Sequence, residues 1–172
     1  SIRAIYDGEM LNGKRHGVGK LTTKEYIREG TGKNDEFTGW GRESRPNGET
    51  LEGRFINGKL EGKGILRNSE GSSYIGDFVG SKKDGYGELD TEKANYRGEF
   101  KNNKFHGHGK IRIKEDDSEF EGIFRNGEIE KENANDLYGG NVSRGAKVEK
   151  IRETTACQAP DFITNFFSKL FS

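Results

Sequence analysis

Residues 96–110 read YRGEFKNNKFHGHGK, and residues 6–20 read YDGEMLNGKRHGVGK. Nine of the fifteen positions are identical, although the two stretches start ninety residues apart. No local structure joins segments so distant in the chain, so the identity indicates a structural unit that is used more than once.

The unit starts with a large residue, then glycine, then an apolar residue, each two positions apart. Five clear copies are Tyr6/Gly8/Met10, Leu51/Gly53/Phe55, Tyr74/Gly76/Phe78, Tyr96/Gly98/Phe100 and Phe120/Gly122/Phe124. Tyr26 begins a sixth, poorer copy, which places successive first residues 20, 25, 23, 22 and 24 positions apart. All copies except the last continue with Gly-x-Gly, as at Gly17/Gly19 and Gly107/Gly109.

Each copy is predicted to form a β-hairpin. Residues two positions apart share one face of a strand, so the ring, the glycine and the phenylalanine of YRGEF lie together. Asn12-Gly13, Asn57-Gly58 and Asn126-Gly127 favour two-residue type I′ turns, and Asn102-Asn103 can replace them. The copy at Tyr74 is expected to have a longer loop, Gly80 to Asp84. The Gly-x-Gly glycines leave room for neighbouring rings to lie on the backbone, and stacked hairpins bury one another's aromatic rows.

Composition excludes several classes of protein. Only 29% of the 172 residues are hydrophobic, whereas 34% are charged and 26 are glycine, so a thick two-layer core is not expected. Basic and acidic residues both number 29, so no cationic excess favours nucleic acid. No apolar run reaches the ~20 residues of a membrane span. The single Cys157 excludes an internal disulfide, and we expect a cytoplasmic location.

The order Tyr-x-Gly-x-Phe, Asn-Gly-Lys and His-Gly-x-Gly-Lys resembles the MORN (membrane occupation and recognition nexus) repeat. Residues 6–20 and 96–110 match it most fully, 51–64 and 74–87 lack the histidine, and 26–41 and 120–127 are degenerate. The resemblance implies an all-β fold, an elongated, single-layer antiparallel sheet of stacked hairpins with a groove on one face, often closed by a C-terminal helix. It also implies a scaffold in a cytoskeletal, ciliary or membrane-junction assembly, or an accessory segment of a lipid kinase or SET-type methyltransferase.

No residue pattern favours catalysis, a metal or a cofactor. His16 and His106 stand before Gly-x-Gly, and we expect them to bridge hairpins through hydrogen bonds and to tolerate replacement by Gln. Only His106 and His108 are close in sequence, and no cysteine accompanies them. The lysines Lys20 and Lys110 precede Leu21 and Ile111, so neither stretch is a phosphate-binding loop. We predict a non-enzyme.

The sequence changes character after the repeats. Residues 1–131 are assigned to the repeat sheet, 132–158 to a polar linker and 159–172 to an amphipathic helix. The helix would carry one apolar stripe that we expect to dock: Phe162, Ile163, Phe166, Phe167, Leu170 and Phe171. A helix this short is marginal alone, so the stripe packs on the sheet, binds a partner protein or lies on a membrane surface. Packing on the face that carries Tyr96 is the preferred interpretation.

Two functions remain open from the sequence. The first is a scaffold that binds a helix or extended segment of a partner protein through an aromatic groove lined by Tyr6, Tyr74, Phe78, Tyr96, Phe100, Phe120 and Phe124. The second is a peripheral membrane adaptor that contacts anionic lipid headgroups through the lysines that follow the turns, Lys14, Lys59 and Lys104. The acids Glu9, Asp77 and Glu99 on nearby strands weaken the second interpretation.

Overall fold

The computed structural model describes residues 4–117 and 119–129. These residues form one antiparallel sheet in which twelve strands lie side by side in chain order. The strands are β1 (Ile5–Leu11), β2 (Lys14–Thr22), β3 (Ile27–Lys33), β4 (Glu36–Ser44), β5 (Thr50–Ile56), β6 (Lys59–Arg67), β7 (Ser73–Val79), β8 (Lys82–Asp90), β9 (Ala94–Lys101), β10 (Lys104–Ile113), β11 (Glu119–Arg125) and β12 (Glu128–Ile129).

This architecture confirms the predicted all-β meander for the described residues. None of them belongs to a helix, so no membrane-spanning helix occurs among them. The predicted linker at 132–158 and the predicted helix at 159–172 lie outside the described residues.

Within each copy, the two strands are joined by a two-residue turn in which both residues have positive φ, as type I′ turns require. Asn12 and Gly13, for example, have φ values of 50° and 74°. The longer loop predicted from Gly80 to Asp84 is wrong, because Gly80 and Ser81, at 57° and 64°, close that turn alone. The other turns with this geometry are Asn34–Asp35, Asn57–Gly58, Asn102–Asn103 and Asn126–Gly127.

A row of glycines crosses eleven neighbouring strands, each glycine being paired with the next. A Cβ on Gly87 would lie 2.5 Å from Cζ of Tyr74, and one on Gly109 would lie 2.5 Å from Cζ of Tyr96. The rings therefore lie against bare backbone, as predicted from the sequence. From β1 to β11 the row is Gly8, Gly19, Gly30, Gly41, Gly53, Gly64, Gly76, Gly87, Gly98, Gly109 and Gly122.

Beside the glycine row runs a row of large side chains, the anchor row. From β1 to β11 it consists of Tyr6, Leu21, Arg28, Glu43, Leu51, Leu66, Tyr74, Leu89, Tyr96, Ile111 and Phe120. Tyr74 and Tyr96 both pair with Leu89, so they share one face, as predicted. We call this face the aromatic face and the other the opposite face.

The second copy has a different anchor from the one predicted. Gly30 occupies the glycine row, so the anchor two positions earlier is Arg28, not Tyr26. The anchors at positions 6, 28, 51, 74, 96 and 120 are then 22, 23, 23, 22 and 24 residues apart, a more regular spacing.

A third row on the aromatic face pairs two residues within each copy. Its pairs are Met10/Arg15, Gly32/Phe37, Phe55/Leu60, Phe78/Lys83 and Phe100/Phe105, and Phe124 of β11 extends the row. The buried core lies on this face between β5 and β11 and includes Leu51, Phe55, Leu60, Tyr74, Phe78, Leu89, Tyr96, Phe100, Phe105, Phe120 and Phe124.

Acidic side chains close the bulges of three hairpins. The backbone N–H groups of Val18 and Tyr86 donate to the carboxylates of Glu9 and Asp77, each at 3.0 Å. The N–H of His108 donates to Glu99 in the same way, at 3.1 Å. These acids therefore satisfy backbone donors that the bulge would leave unpaired.

Neighbouring hairpins are joined at their turns. The backbone N–H of Ser81 donates to the carbonyl of Leu60 at 2.9 Å, and the hydroxyl of Ser81 accepts from the N–H of Leu60 at 2.8 Å. Asn103 and Lys83 repeat this reciprocal pair one copy later, at 2.9 and 2.8 Å. The turn of each of these copies is thus hydrogen-bonded to the copy that precedes it.

Candidate functional site

The residues predicted to line the partner groove all lie on the aromatic face, but their exposure differs. Six of them are at most 7% exposed, namely Tyr74, Phe78, Tyr96, Phe100, Phe120 and Phe124. Tyr6 is half-buried. The six buried side chains offer a partner little surface, so the accessible part of the predicted groove is the end formed by β1–β4. Their role in binding stays a prediction.

Most of the buried rings contact one another edge-on, whereas Tyr96 and Phe105 are stacked with their centroids 3.7 Å apart. The ring of Phe100 lies 5.2 Å from Tyr96 in its own copy and 4.9 Å from Tyr74 in the preceding copy. The ring of Phe124 likewise lies 5.2 Å from Tyr96 of the preceding copy. A third-row ring therefore links the anchors of two successive copies, and each such pair adds about 0.5–1.5 kcal/mol beyond its burial.

The end formed by β1–β4 is more open. Tyr6, Leu21, Tyr26 and Phe37 are all half-buried there. They border a cavity of about 80 Å³, which Gly32 also lines. At the third-row position of Gly32 the other copies carry Met10, Phe55, Phe78, Phe100 or Phe124.

Beside this cavity, charged side chains linked by ion pairs occupy positions that are apolar in most other copies. Arg28 donates to Glu43 at 2.9 Å, and Glu43 is only 4% exposed. Glu43 also accepts from Arg45 at 2.8 Å, and Arg45 reaches Glu49 at 2.6 Å. Arg28 and Glu43 occupy anchor-row positions, so the polar network interrupts an otherwise apolar row. Aligning the copies on their glycines instead of their tyrosines would have revealed it in the sequence.

Lys83 is a second polar residue in the core. It takes the third-row place that Leu60 and Phe105 hold in neighbouring copies, and it is 4% exposed. Its ammonium nitrogen lies 5.5 Å from the ring centroid of Tyr74. Burial lowers the pKa of Lys83 to about 8, and burial raises the pKa of the Tyr74 hydroxyl.

The lysines proposed to contact lipid headgroups lie along the turn edge of the sheet. Lys14, Lys59 and Lys104 are each the first residue of a strand that follows a turn, and all three are exposed. The corrected turn at Gly80–Ser81 adds Lys82, which is also exposed, at the same position. The fourth lysine was missed because a longer loop was expected there.

The histidines differ from expectation. Nδ1 of His16 and Nδ1 of His106 are buried and have no hydrogen-bond partner within the described part of the chain. The predicted hydrogen-bonded bridge between hairpins is therefore wrong for this nitrogen. His108 is exposed. Among residues 4–117 and 119–129, no three His, Cys, Asp or Glu side chains are grouped as a metal site would require.

The opposite face also carries exposed apolar side chains. Trp40 is 70% exposed, Val18 60% and Tyr86 56%, and each stands between the two glycines of a Gly-x-Gly. Ile75 is 58% exposed on a neighbouring strand. The sequence analysis did not identify these exposed side chains.

The predicted docking helix cannot be placed on either face. Phe162, Ile163, Phe166, Phe167, Leu170 and Phe171 lie outside the described residues, so the expected packing against Tyr96 stays a prediction.

Comparison with known proteins agrees with the repeat geometry. The family model of the MORN repeat matches residues 6–24, 52–73, 74–91 and 96–114. The copies at 26–41 and 120–127, predicted to be degenerate, fall outside these matches.

Among curated proteins, alsin of Rattus norvegicus is 31% identical in an alignment of 121 residues, and the match covers 51% of this chain and 7% of alsin. Alsin of Homo sapiens is 35% identical in an alignment of 97 residues, and that match covers 50% of this chain and 6% of alsin. The chain thus spans less than a tenth of the length of these relatives. With its hairpins, its row of glycines and four matches to one repeat model, the chain belongs to the MORN-repeat family.

Proposed function

We propose that this chain is a non-catalytic scaffold that binds a partner protein on the aromatic face. One observation carries the proposal. The aromatic rows are buried over β5–β11 but remain half-exposed at Tyr6, Leu21, Tyr26 and Phe37. An accessible aromatic surface that continues directly into a packed core is suited to receive apolar side chains of another protein.

The charges of the sheet agree with a binding role. Glu9, Asp77 and Glu99 are engaged in closing bulges. Glu43 is held between two arginines. These carboxylates are thereby committed to the fold, which supports a scaffold more than an enzyme. From the family resemblance, we further propose that the scaffold serves in a cytoskeletal, ciliary or membrane-associated assembly.

A matched pair of variants tests the proposal. Peptides from a phage-displayed library are selected on the full chain, and their affinities are measured by fluorescence anisotropy for the wild type, Tyr26→Ser and Tyr86→Ser. The same change is thus made on the aromatic face and on the opposite face. We expect Tyr26→Ser to weaken binding about tenfold, the ~1.4 kcal/mol typical of a contributing aromatic, and Tyr86→Ser to have no effect. Failure to select any binding peptide, or loss of binding in Tyr86→Ser alone, would contradict the proposal.

A membrane adaptor is the second candidate, and the position of Lys82 favours it. Lys59, Lys82 and Lys104 begin alternate strands of the sheet, so they recur about every 10 Å along one edge. A juxtamembrane cation contributes about 1 kcal/mol on anionic lipid. Sedimentation with phosphatidylserine vesicles compares the wild type with Lys59→Gln/Lys82→Gln. Equal sedimentation of the two proteins would reject a lipid-binding role for this edge.

A further inference from the structure

Gly32 is an exception in the third row of the aromatic face. A Cβ on Gly32 would have only the carbonyl oxygens of Glu36 and Gly17 nearby, at 3.3 and 4.0 Å. The row glycines Gly87 and Gly109 are different, because rings fill the space above them. A Cβ here would therefore touch the carbonyl of Glu36 closely, but no ring occupies the space beyond it, and Gly32 lines the cavity of about 80 Å³.

The neighbouring copies show what this space is shaped to hold. Phe100 lies 4.9 Å from Tyr74, the anchor of the preceding copy, and Phe124 lies 5.2 Å from Tyr96. By the same register, a ring at position 32 would contact Tyr6. Tyr6 has the orientation of its counterparts, since its hydroxyl donates to the carbonyl of Glu9 at 3.0 Å. One ring is thus missing from a regular series of ring contacts.

The walls of the cavity are held in place and do not collapse into it. Nη2 of Arg15 donates to the carbonyl of Asp35 at 2.7 Å, which ties β2 to the next turn. Nη2 of Arg28 donates to the carbonyl of Gly58 at 3.0 Å. Because both guanidinium groups are anchored to backbone one copy further on, the gap stays open.

The charges around the cavity favour an uncharged aromatic ligand over an anionic one. The guanidinium carbon of Arg28 lies 4.1 Å from the ring centroid of Tyr26 and 5.3 Å from that of Phe37. The guanidinium carbon of Arg15 lies 6.0 Å from the ring centroid of Tyr6. The negative face of an aromatic ring is attracted by such cations. An anionic guest is disfavoured, because Asp35 and Glu43 already pair with the two arginines.

We propose that the gap above Gly32 is a binding pocket for one aromatic side chain of a partner protein. The guest ring replaces the missing third-row phenylalanine, contacts Tyr6 and Phe37, and lies against the guanidinium groups of Arg15 and Arg28. This proposal rests on the proposed scaffold function and adds a specific binding site to it. An aromatic residue of the partner protein occupies that site.

A small probe tests the pocket without a known partner. The full chain, labelled with ¹⁵N, is titrated with N-acetyl-phenylalaninamide and, separately, with N-acetyl-alaninamide while amide shifts are followed by NMR. We expect the phenylalanine compound to bind with a dissociation constant on the order of 1 mM, typical for a ligand of its size. Its shifts should concentrate on Gly32, Phe37 and their neighbours in β1–β4, and the alanine compound should cause none.

Two substitutions at the same residue sharpen the test. Gly32→Phe supplies the missing ring from the chain itself, so it should abolish binding of the probe and raise the melting temperature. Gly32→Ala leaves most of the gap open, so it should bind within twofold of the wild type. If Gly32→Phe does not fold, the wild-type shift map and Gly32→Ala still decide the matter. Equal probe affinity in wild type and Gly32→Phe would overturn the proposal.

The single tryptophan serves as an NMR probe of the opposite face. Trp40 lies on the opposite face, and its indole N–H gives a resonance of its own. Shifts confined to this resonance and to Val18 and Tyr86 would overturn the pocket, while leaving a protein-binding function on the opposite face. Absence of shifts would overturn the pocket as well. The library selection in the preceding subsection decides independently whether the scaffold function stands.

Discussion

Replacing Lys83 with leucine should stabilise the protein. Lys83 occupies a core position that holds leucine in one neighbouring copy and phenylalanine in the other, yet it brings an ammonium group into a place only 4% exposed. In Lys83→Leu the desolvation cost of the charge disappears and apolar contacts with Phe78 and Tyr74 increase.

The size of the effect follows from the pKa of Lys83. Burial lowers it from 10.5 to about 8, and each pKa unit corresponds to about 1.4 kcal/mol, so the charged form costs roughly 3 kcal/mol at neutral pH. The cation–π contact with Tyr74, about 0.5–1 kcal/mol, opposes this cost. We therefore expect Lys83→Leu to gain roughly 1–3 kcal/mol at pH 7, and each kcal/mol to raise the melting temperature by about 2–4 °C.

The pH dependence has a definite sign. Between pH 8 and 10.5 the unfolded chain binds more protons at Lys83 than the folded chain does, so the stability of the wild type rises with pH in this window. Below pH 8 the lysine is protonated in both states, and its penalty is constant. The raised pKa values of Tyr74 and Tyr96 act in the opposite direction above pH 10. The useful window is therefore pH 8 to 10.

Urea unfolding followed by circular dichroism at pH 7, 8.5 and 9.5 measures both effects. The matched control is Lys82→Leu, which removes the same charge from the exposed neighbouring position. We expect the rise in stability with pH to vanish in Lys83→Leu and to persist in Lys82→Leu. A Lys83→Leu protein that is less stable than the wild type at pH 7, or that keeps the rise, would refute the reasoning.

Three further predictions concern the fold. Gly87→Ala places a Cβ 2.5 Å from Cζ of Tyr74, so it should lower the free energy of unfolding by about 1–3 kcal/mol in urea titrations; a change below ~0.5 kcal/mol would contradict the packing of rings on bare backbone. Arg28→Met or Glu43→Leu alone should cost about 3 kcal/mol, whereas the double variant should recover most of this, and additive losses in the double-mutant cycle would contradict a coupled buried pair. Deletion of residues 160–172 should lower the melting temperature if the predicted helix covers the sheet, and an unchanged melting curve would direct attention to a partner or a membrane.

The hairpin unit could be predicted because its signals are local. The two-residue spacing of Tyr96, Gly98 and Phe100 sets one face of a strand, and Asn-Gly dipeptides set the turn, so neither depends on the rest of the protein. The single face shared by Tyr74 and Tyr96 follows from the same spacing once the hairpins stack.

The candidate site was less predictable because it depends on differences between copies. Searching for aromatic anchors led to Tyr26 and concealed Arg28, and with it the absence of a ring at Gly32. The exposure of a side chain also cannot be predicted from residue type. Tyr6 and Tyr96 occupy equivalent positions, yet Tyr96 is 1% exposed whereas Tyr6 is only half-buried. That difference arises from the neighbouring copies, which the motif of a single copy does not describe.

The row of paired glycines sets a unit of length for this protein. Each strand from β1 to β11 places one glycine opposite the glycine of the next strand. Each copy therefore packs against the same pattern of backbone in the copy before it. If residues 74–95 were absent, Gly98 would face Gly64 as Gly76 now does, and the anchors would remain in one row. Growth or shortening of the sheet by a whole copy is therefore compatible with its register. Successive glycines of the row are 11, 12 or 13 residues apart, so the loops absorb small differences in length, whereas a gain or loss of one residue within a strand would turn the side chains beyond it to the other face.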